Sequence, residues 1–285
     1  MSAASTASSS RRHRLAPGRT GVSFLLWVYA VFALLPLALM VIGSFRSNND
    51  LLRDPAGIPT NLTLDNYVDA WTTGNFAQYF GNSLLITVGS VVITVVVATL
   101  ASYALARSKS RIIQAIEAVF LSGLVMPLHL AVLPIFFLFE QLGLIDSRLG
   151  LTLLYSASGI AFATFVLTAF FRQLPVELEE AAALDGANHL TTFLRILVPL
   201  VRPAIATVAV FQFVPIWNDF FFPLVLLRTQ ANYPLPVGLS TFFGEHESNY
   251  AVAFAGLVIT TIPLVVLFLL ATKQIVAGLT AGMSK

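Results

Sequence analysis

Residues 177–199 read ELEEAAALDGANHLTTFLRILVP. This polar stretch lies between two long apolar segments, and its first half concentrates glutamate and alanine before a single glycine, Gly186. Acidic residues in the first turn of a helix are stabilised by the positive end of the helix dipole, and alanine is the strongest helix former. Glycine readily adopts the left-handed conformation that ends many helices. The stretch therefore predicts a short, exposed helix that is closed by a sharp turn at Gly186.

A second short helix is predicted behind this turn, from about Asn188 to Leu197. Four residues at helical spacing would form its apolar face: Leu190, Phe193, Ile196 and Leu197. Pro199 and Pro203 are expected to end this helix, because proline lacks an N–H and clashes with the preceding turn. A rigid hairpin of this kind suits docking into a groove on a partner protein.

The composition is that of a membrane protein. Of the 285 residues, 57% are hydrophobic and only 11% are charged, with a mean hydropathy of +0.83, whereas soluble domains carry about 25% charged residues. The absence of cysteine excludes disulfides and thiol chemistry. The four histidines lack the spacing of metal ligands. We therefore predict no catalytic residue, no metal site and no cofactor.

Six apolar segments reach the length of about 20 residues that a helix needs to cross the hydrocarbon layer of a bilayer. They are 22–45, 80–106, 118–139, 149–171, 203–227 and 250–272. Backbone groups in lipid must bond within their own segment, so each segment is predicted to be a helix. The predicted fold class is all-α, a polytopic membrane protein with six transmembrane helices and a loop at about 173–200.

The Lys and Arg residues indicate the orientation of these spans. With the N-terminus inside, twelve of the 16 basic residues fall on the inner side, and four fall outside: Arg46, Arg53, Arg148 and Arg228. Both termini and the 173–200 loop are therefore predicted to be cytoplasmic. The predicted divisions are a disordered tail over 1–20, a membrane domain over 21–276 and a C-terminal tail over 277–285.

Seven loop residues have the spacing of a family motif: Glu180, Ala181, Ala182, Asp185, Gly186, Ile196 and Pro199. The pattern resembles the EAA loop of permease subunits in binding-protein-dependent ABC importers, with Val198 where the family usually has leucine. Five more segments look like the shorter permease subunit of maltose-type carbohydrate importers: 61–67, 82–84, 101–107, 217–220 and 278–282. The resemblance runs from about residue 20 to the end and implies the fold of a type I ABC importer permease.

This resemblance implies an assembly of several subunits in the bacterial cytoplasmic membrane. A second homologous permease, two copies of a cytoplasmic ATPase and an extracytoplasmic sugar-binding protein would join this chain, which is surrounded by lipid and binds no nucleic acid. The seven loop residues would couple to the ATPase, with Glu180 paired to a basic group and Gly186 allowing the turn. The chain has no phosphate-loop sequence, so the resemblance implies a transport subunit whose partner hydrolyses ATP.

Four polar residues in or beside the predicted spans are candidates for the solute pathway: His129, Gln212, Asn218 and Asp219. Asp219 is the only carboxylate inside a predicted span, and a charge at the bilayer centre costs about 2.5–3.5 kcal/mol. Alternatively, Asp219 lies at the outer interface or bonds a neighbouring helix. His129 lies between Pro127 and Pro134, where it could break its helix or make a structural hydrogen bond.

The sequence leaves two other functions open. One keeps the role of an ABC permease and changes the cargo to a solute other than sugar. The other is a secondary transporter, which would need a coupling-ion site. The spans hold a single acid, no Lys or Arg and no internal repeat, and these features argue against that class.

Overall fold

The helices of the computed structural model follow the apolar segments of the sequence. The structure describes residues 17–55, 57, 59, 61–72, 74–125, 127–242 and 249–281, with side chains between 21 and 271. All regular secondary structure in these ranges is helical, which confirms the all-α class. In chain order the α-helices are α1 (Pro17–Ser44), α2 (Asn48–Arg53), α3 (Asp65–Thr72), α4 (Phe76–Arg107), α5 (Arg111–Val125), α6 (Val132–Gln141), α7 (Arg148–Gln173), α8 (Glu177–Leu184), α9 (His189–Thr192), α10 (Val198–Asn218), α11 (Phe221–Leu226), α12 (Leu235–Ser240) and α13 (Tyr250–Ala281).

Among the described residues, five helical segments are long and apolar enough to cross a membrane. They are Gly21–Ser44, Phe76–Arg107, Arg148–Gln173, His189–Asn218 and Tyr250–Ala271. A bent pair of helices supplies a sixth span when it is counted as one, so each predicted span has a counterpart. The first and last helices are longer than predicted: α1 begins inside the 1–20 segment, and α13 continues to Ala281. Residues 1–16 and 282–285 lie outside the described residues.

The third span is not the single helix that the sequence predicts over 118–139. Its two halves, Arg111–Val125 and Leu128–Gln141, are bent by 90°. Pro127 lies at the break, where its missing N–H and its ring prevent the helix from continuing. A 3₁₀ turn over Leu128–Ala131 then leads into α6. His129 therefore lies in this turn, at the helix break that was one of the two alternatives for this residue.

The expected end of the second loop helix at Pro199 and Pro203 is wrong. The helix runs without a break from α9 through a π-helical turn, Phe193–Leu197, into α10. Within that turn the N–H of Val198 donates to the carbonyl of Phe193, five residues back. Pro199, which has no N–H to donate, follows directly after this wider turn, at the start of α10. Continuity lets the other backbone groups of this span bond within the helix, as lipid requires.

The fifth span also ends earlier than the predicted 203–227. The helix ends at Asn218, and Asp219 has an extended backbone conformation that separates α10 from α11. The Oδ1 atom of Asp219 accepts a hydrogen bond from the N–H of Phe221 at 2.9 Å. The carboxylate thus replaces a backbone partner at the start of α11. Asp219 lies just past the end of a helix, and its predicted position inside a continuous span is wrong.

The helices α4 and α7 pack side by side through small polar residues. Side-chain hydroxyl groups of α4 donate to α7 carbonyls at a constant offset of 62 residues. The pairs are Ser90 with Thr152 at 3.2 Å, Thr94 with Ser156 at 3.2 Å and Ser102 with Thr164 at 3.1 Å. A constant positive offset means that the helices run parallel, and small residues let their backbones approach closely. The C-terminal ends of both helices therefore meet at the loop that carries α8.

The opposite end of the bundle is held by a turn at Asp146, between α6 and α7. Its Oδ1 atom accepts hydrogen bonds from the N–H groups of Arg228 and Thr229, both at 3.0 Å, and from Asn232 Nδ2 at 3.2 Å. The hydroxyl of Thr229 also donates to Oδ2. Burial alone would raise the pKa of this carboxyl, but the hydrogen bonds from Thr229, Arg228 and Asn232 hold its pKa well below the ordinary value. The turn ties the chain before α7 to the chain after α11.

Asp146→Asn is expected to lower the melting temperature of the purified protein at pH 7. The amide oxygen cannot accept all four hydrogen bonds that the carboxylate accepts, and each kcal/mol lost corresponds to about 2–4 °C. Asparagine tolerates the positive φ of 56° at this position, so the backbone is not strained. The change therefore tests the carboxylate alone.

The loss of stability in Asp146→Asn should depend on pH. The folded pKa lies below the unfolded value of about 3.9, so the stabilisation is present above about pH 4 and is lost as the pH falls toward the folded pKa. Melting temperatures of the two forms, measured between pH 7 and pH 3, should differ by a constant amount above about pH 5, and the difference should shrink as the pH falls toward 3. A constant difference across this range would contradict the assignment.

Candidate functional site

The helix α8 has one face toward the protein and one toward solvent. The inward residues are Leu178 and Glu179, which are half-buried, and Ala182, which is only 5% exposed. The outward residues are Glu177, Glu180, Ala181, Ala183 and Leu184. Leu184 is 89% exposed, so the outward face combines two carboxylates with an apolar tip. Such a surface can contact a partner through both charge and apolar burial.

The turn after α8 has the geometry that the sequence predicts at Gly186. This residue has φ +80°, and its N–H donates to the carbonyl of Ala183 at 3.0 Å. The N–H of Ala187 donates to the carbonyl of Ala182 at 2.9 Å. These two bonds make a Schellman turn, which pairs the last carbonyls of the helix. Asn188 then caps α9 by accepting from the N–H of Thr191 at 2.8 Å.

The seven residues expected to couple to the ATPase do not all face outward. Glu180, Ala181, Asp185, Gly186 and Pro199 are exposed, whereas Ile196 is half-buried and Ala182 is buried. Ala182 packs against the rest of the chain, so its small side chain allows α8 to lie close to the bundle. The structure thus separates the motif into a surface that a partner can reach and a residue that holds the helix in place.

The predicted apolar face of the second loop helix is only partly correct. Phe193 is 5% exposed and Leu197 is fully buried, and Ile196 is half-buried. Leu190 is instead 63% exposed. The π-helical turn at Phe193–Leu197 changes the angular spacing of the side chains, so a 3.6-residue period does not carry Leu190 onto the buried face. Leu190 lies in α9, on the solvent-exposed side near α8.

The residue that sequence reasoning missed is Glu179. Its Oε1 atom accepts from Arg107 Nε at 2.5 Å, and its Oε2 atom accepts from the hydroxyl of Tyr103 at 2.8 Å. The same guanidinium donates from Nη2 to the carbonyl of Leu174 at 3.1 Å. Tyr103 and Arg107 are four residues apart on one face of α4, which is the sequence signal that could have suggested a shared partner. No local pattern indicates that this partner is Glu179.

A cavity of about 370 Å³ brings the four candidate pathway residues together. His129, Gln212, Asn218 and Asp219 all line it. The remaining lining residues are Leu128, Tyr155, Ser158, Pro215, Ile216 and Phe222. The cavity lies at the junction of the bent third span, α7 and the end of α10. Its location beside two helix breaks explains why several polar groups can meet inside a membrane domain.

The hydrogen bonds in this cavity give its residues different tasks. Asp219 accepts from the hydroxyl of Tyr155 at 2.6 Å in addition to its bond with Phe221, so both of its oxygens hold parts of the protein. The predicted alternative that Asp219 bonds a neighbouring helix is therefore confirmed. Gln212 donates from Nε2 to the carbonyl of Gly159 at 3.1 Å. A Cβ atom at Gly159 would come within 2.8 Å of Gln212 Oε1, so this glycine leaves room for the amide.

Aromatic rings surround the imidazole at the edge of the cavity. The ring of His129 lies 5.2 Å from the rings of both Phe221 and Phe222. The cavity therefore offers aromatic faces together with amide, hydroxyl and imidazole groups. This combination can bind a hydroxylated, ring-shaped molecule, because stacking and hydrogen bonding act on different parts of such a ligand.

A family model described as "Binding-protein-dependent transport system inner membrane component" matches residues 95–280, more than half of the chain. The chain belongs to this family. The matched range includes α8, the turn at Gly186 and the cavity. The permease is accordingly a multi-pass inner-membrane transport component.

Two relatives of the permease match it over most of their length and are permease proteins of an uptake system and a transport system. It is 32% identical over 260 residues to the diacetylchitobiose uptake system permease protein of Streptomyces coelicolor, with 90% of this chain and 86% of the relative covered. It is 34% identical over 261 residues to the arabinooligosaccharides transport system permease protein of Halalkalibacterium halodurans, with 89% and 91% covered.

The fold matches that of a solved importer. A chain in the crystal structure of a bacterial ABC transporter involved in alginate import superposes on the permease with a TM-score of 0.79 and 24% sequence identity. The superposition covers 94% of the permease and 99% of that chain. The predicted fold of an ABC importer permease is thereby confirmed.

Substitutions of Gly186 should loosen the turn in the order Asn, Ala, Pro. Asparagine tolerates a positive φ, alanine pays about 1–2 kcal/mol for it, and proline can neither adopt it nor donate the N–H bond to Ala183. A Cβ atom here meets open space, so the backbone is the only cause of strain. Hydrogen exchange of the Ala187 amide, followed by mass spectrometry, measures the effect. Equal protection in Asn and Ala variants would contradict this account.

Proposed function

We propose that the permease forms half of the translocation pathway of an ATP-driven importer for a sugar or oligosaccharide. The observation that carries this proposal is α8, a short exposed helix with a rigid turn, in a chain of the binding-protein-dependent transport family. The relatives named for diacetylchitobiose and arabinooligosaccharides support a carbohydrate cargo. The mixed aromatic and polar lining of the cavity suits such a solute.

The partners follow from the proposed mechanism. A second homologous permease would complete the pathway, and two copies of a cytoplasmic ATPase would dock on the two α8 helices. An extracytoplasmic sugar-binding protein would deliver the solute at the Asp146 end. The excess of basic residues on the α8 side supports a cytoplasmic position for α8 and both termini.

Docking would use the outward face of α8. Glu180 is exposed there, and neither of the ion pairs found among the described residues involves it. Its carboxylate is free to pair with a basic group of the ATPase, and Leu184 can enter an apolar groove beside it. The buried Ala182 and the turn at Gly186 would keep this surface in one orientation. Closure of the ATPase pair would then move the attached helices as near-rigid bodies.

Glu180→Lys should sharply reduce the amount of ATPase that copurifies with the tagged permease. Reversal of the charge replaces an attraction by a repulsion, an effect of several kcal/mol at a buried interface. Glu140→Lys is the control, because it makes the same change at an exposed residue near the end of α6, at the opposite end of the bundle. Similar losses in both variants would indicate a general effect of net charge, and no loss in either would contradict the docking role of Glu180.

Passage of the solute would use the cavity beside Asp219. Because Asp219 holds Tyr155 and the start of α11, its part is to shape the cavity. Gln212 extends an amide into the same space from α10. We therefore assign solute contact first to Gln212, His129 and Asn218.

Gln212→Leu should lower uptake about tenfold, because a solute hydroxyl that loses its buried partner forfeits roughly 1–3 kcal/mol. Uptake is measured in cells with a radiolabelled panel of neutral oligosaccharides that includes diacetylchitobiose and arabinotriose. Gln114→Leu provides the control, because this substitution makes the same chemical change at an exposed site in α5. Unchanged uptake by Gln212→Leu, with normal expression, would remove this residue from the pathway.

Purification of the tagged permease in mild detergent tests the function as a whole. A homologous permease and an ATPase with a phosphate-binding loop should copurify, and uptake should persist in the presence of a proton ionophore while ATP lasts. A chain that purifies alone, with uptake abolished by the ionophore, would contradict the proposal and indicate a secondary transporter.

A further inference from the structure

We propose that Arg107, Tyr103 and Glu179 form a positioning clamp, which makes α8 move as one body with the ends of α4 and α7. The inference rests on the proposed coupling role of α8 and deepens it. The two faces of α8 would then have different functions. The outward face, with Glu180, binds the ATPase, and the inward face, with Glu179, transmits the movement to the membrane helices.

The polar part of the clamp joins three elements at one guanidinium. Arg107 lies in the last turn of α4, binds Glu179 in the first turn of α8 and also binds the carbonyl of Leu174, the residue that follows α7. The hydroxyl of Tyr103 binds the second oxygen of the same carboxylate. Both oxygens of Glu179 are therefore held from α4, which restricts rotation as well as translation of α8.

An aromatic cluster supports this arrangement from the membrane side. The ring of Tyr103 lies 5.9 Å from the ring of Phe171 in α7 and 5.0 Å from the ring of Phe193 in the π-helical turn. Phe171 is fully buried and Phe193 is 5% exposed. The cluster fixes the position of Tyr103, so its hydroxyl reaches Glu179 from a rigid base. It also brings the helix that follows α8 into the same unit.

Burial distinguishes this ion pair from the other one in the described part of the permease. The side chains of Arg107 and Glu179 are 18% and 19% exposed, whereas those of Arg172 and Glu117 are 50% and 23% exposed. Exposed pairs contribute little, because water screens the charges and the side chains keep their freedom. The Arg172–Glu117 pair joins α7 to α5 and does not touch α8. It is thus a natural control within the same chain.

Few contacts other than the clamp hold α8 in place. It has eight residues, and Ala182 is its only buried side chain. Turns connect it on both sides, so a force applied to its outward face would rotate it about these turns. With the clamp closed, the same force acts on the ends of α4 and α7, which are bonded to each other along their length.

Interspin distances in the purified assembly test the clamp directly. The permease has no cysteine, so Val176→Cys, at the exposed residue that precedes α8, and Lys109→Cys place two labels across the clamp without competing thiols in this chain. We expect a narrow distance distribution with the same mean in the nucleotide-free state and in the state trapped with ATP and vanadate. Adding Glu179→Gln should broaden the distribution and make its mean depend on the nucleotide, whereas adding Glu117→Gln should change neither.

Function is measured on the same variants without the labels. In Glu179→Gln and Arg107→Gln, uptake of the panel oligosaccharides per ATP hydrolysed should fall about tenfold, while the ATPase continues to copurify. The exchanged pair Arg107→Glu with Glu179→Arg should recover part of the coupling, which loss of folding in a single variant could not explain.

The outcomes separate the clamp from the proposed function. Copurification of the ATPase with unchanged distances and unchanged coupling in Glu179→Gln would overturn the clamp and leave the importer intact. A mean distance that differs between the two nucleotide states of the unsubstituted clamp would overturn it as well. Failure of the unmodified permease to bind any ATPase would overturn the proposed function itself.

Discussion

Backbone hydrogen bonding in hydrocarbon is the constraint on which the rest of this structure depends. An unpaired N–H or C=O group in lipid costs several kcal/mol. The permease therefore keeps one continuous helix from α9 through Pro199 and Pro203, with a π-helical turn in place of a break. Where a span does end early, after α10, the carboxylate of Asp219 bonds the N–H of Phe221.

The two helix breaks also create the candidate pathway. The kink at Pro127 and the end of α10 at Asn218 open space between helices and bring polar groups to its walls. Asp219 shapes this space, and Gln212 and His129 border it from different elements. The same physical problem, a helix that ends inside a membrane domain, thus yields both a structural carboxylate and a site suited to a solute.

Parallel packing of α4 and α7 connects that pathway to the loop that we assign to the ATPase. Their hydroxyl-to-carbonyl bonds keep the helices in fixed register, so their ends arrive together beneath α8. Arg107 can bind Glu179 and Leu174 at once because of this shared position. Together, the tight packing of α4 against α7 and the half-buried Arg107–Glu179 ion pair would carry a displacement of α8 toward the cavity.

The sequence by itself determined the class of protein, the apolar spans, α8 and the turn at Gly186, because hydropathy, helix propensity and left-handed glycine are properties of neighbouring residues. It also suggested four pathway residues, which the tertiary structure placed in one cavity. Only the tertiary structure decided that Ala182 faces inward, that Leu190 faces outward and that Glu179 binds Arg107. Those outcomes depend on helix register and on contacts between residues up to 76 positions apart, and no local pattern contains that information.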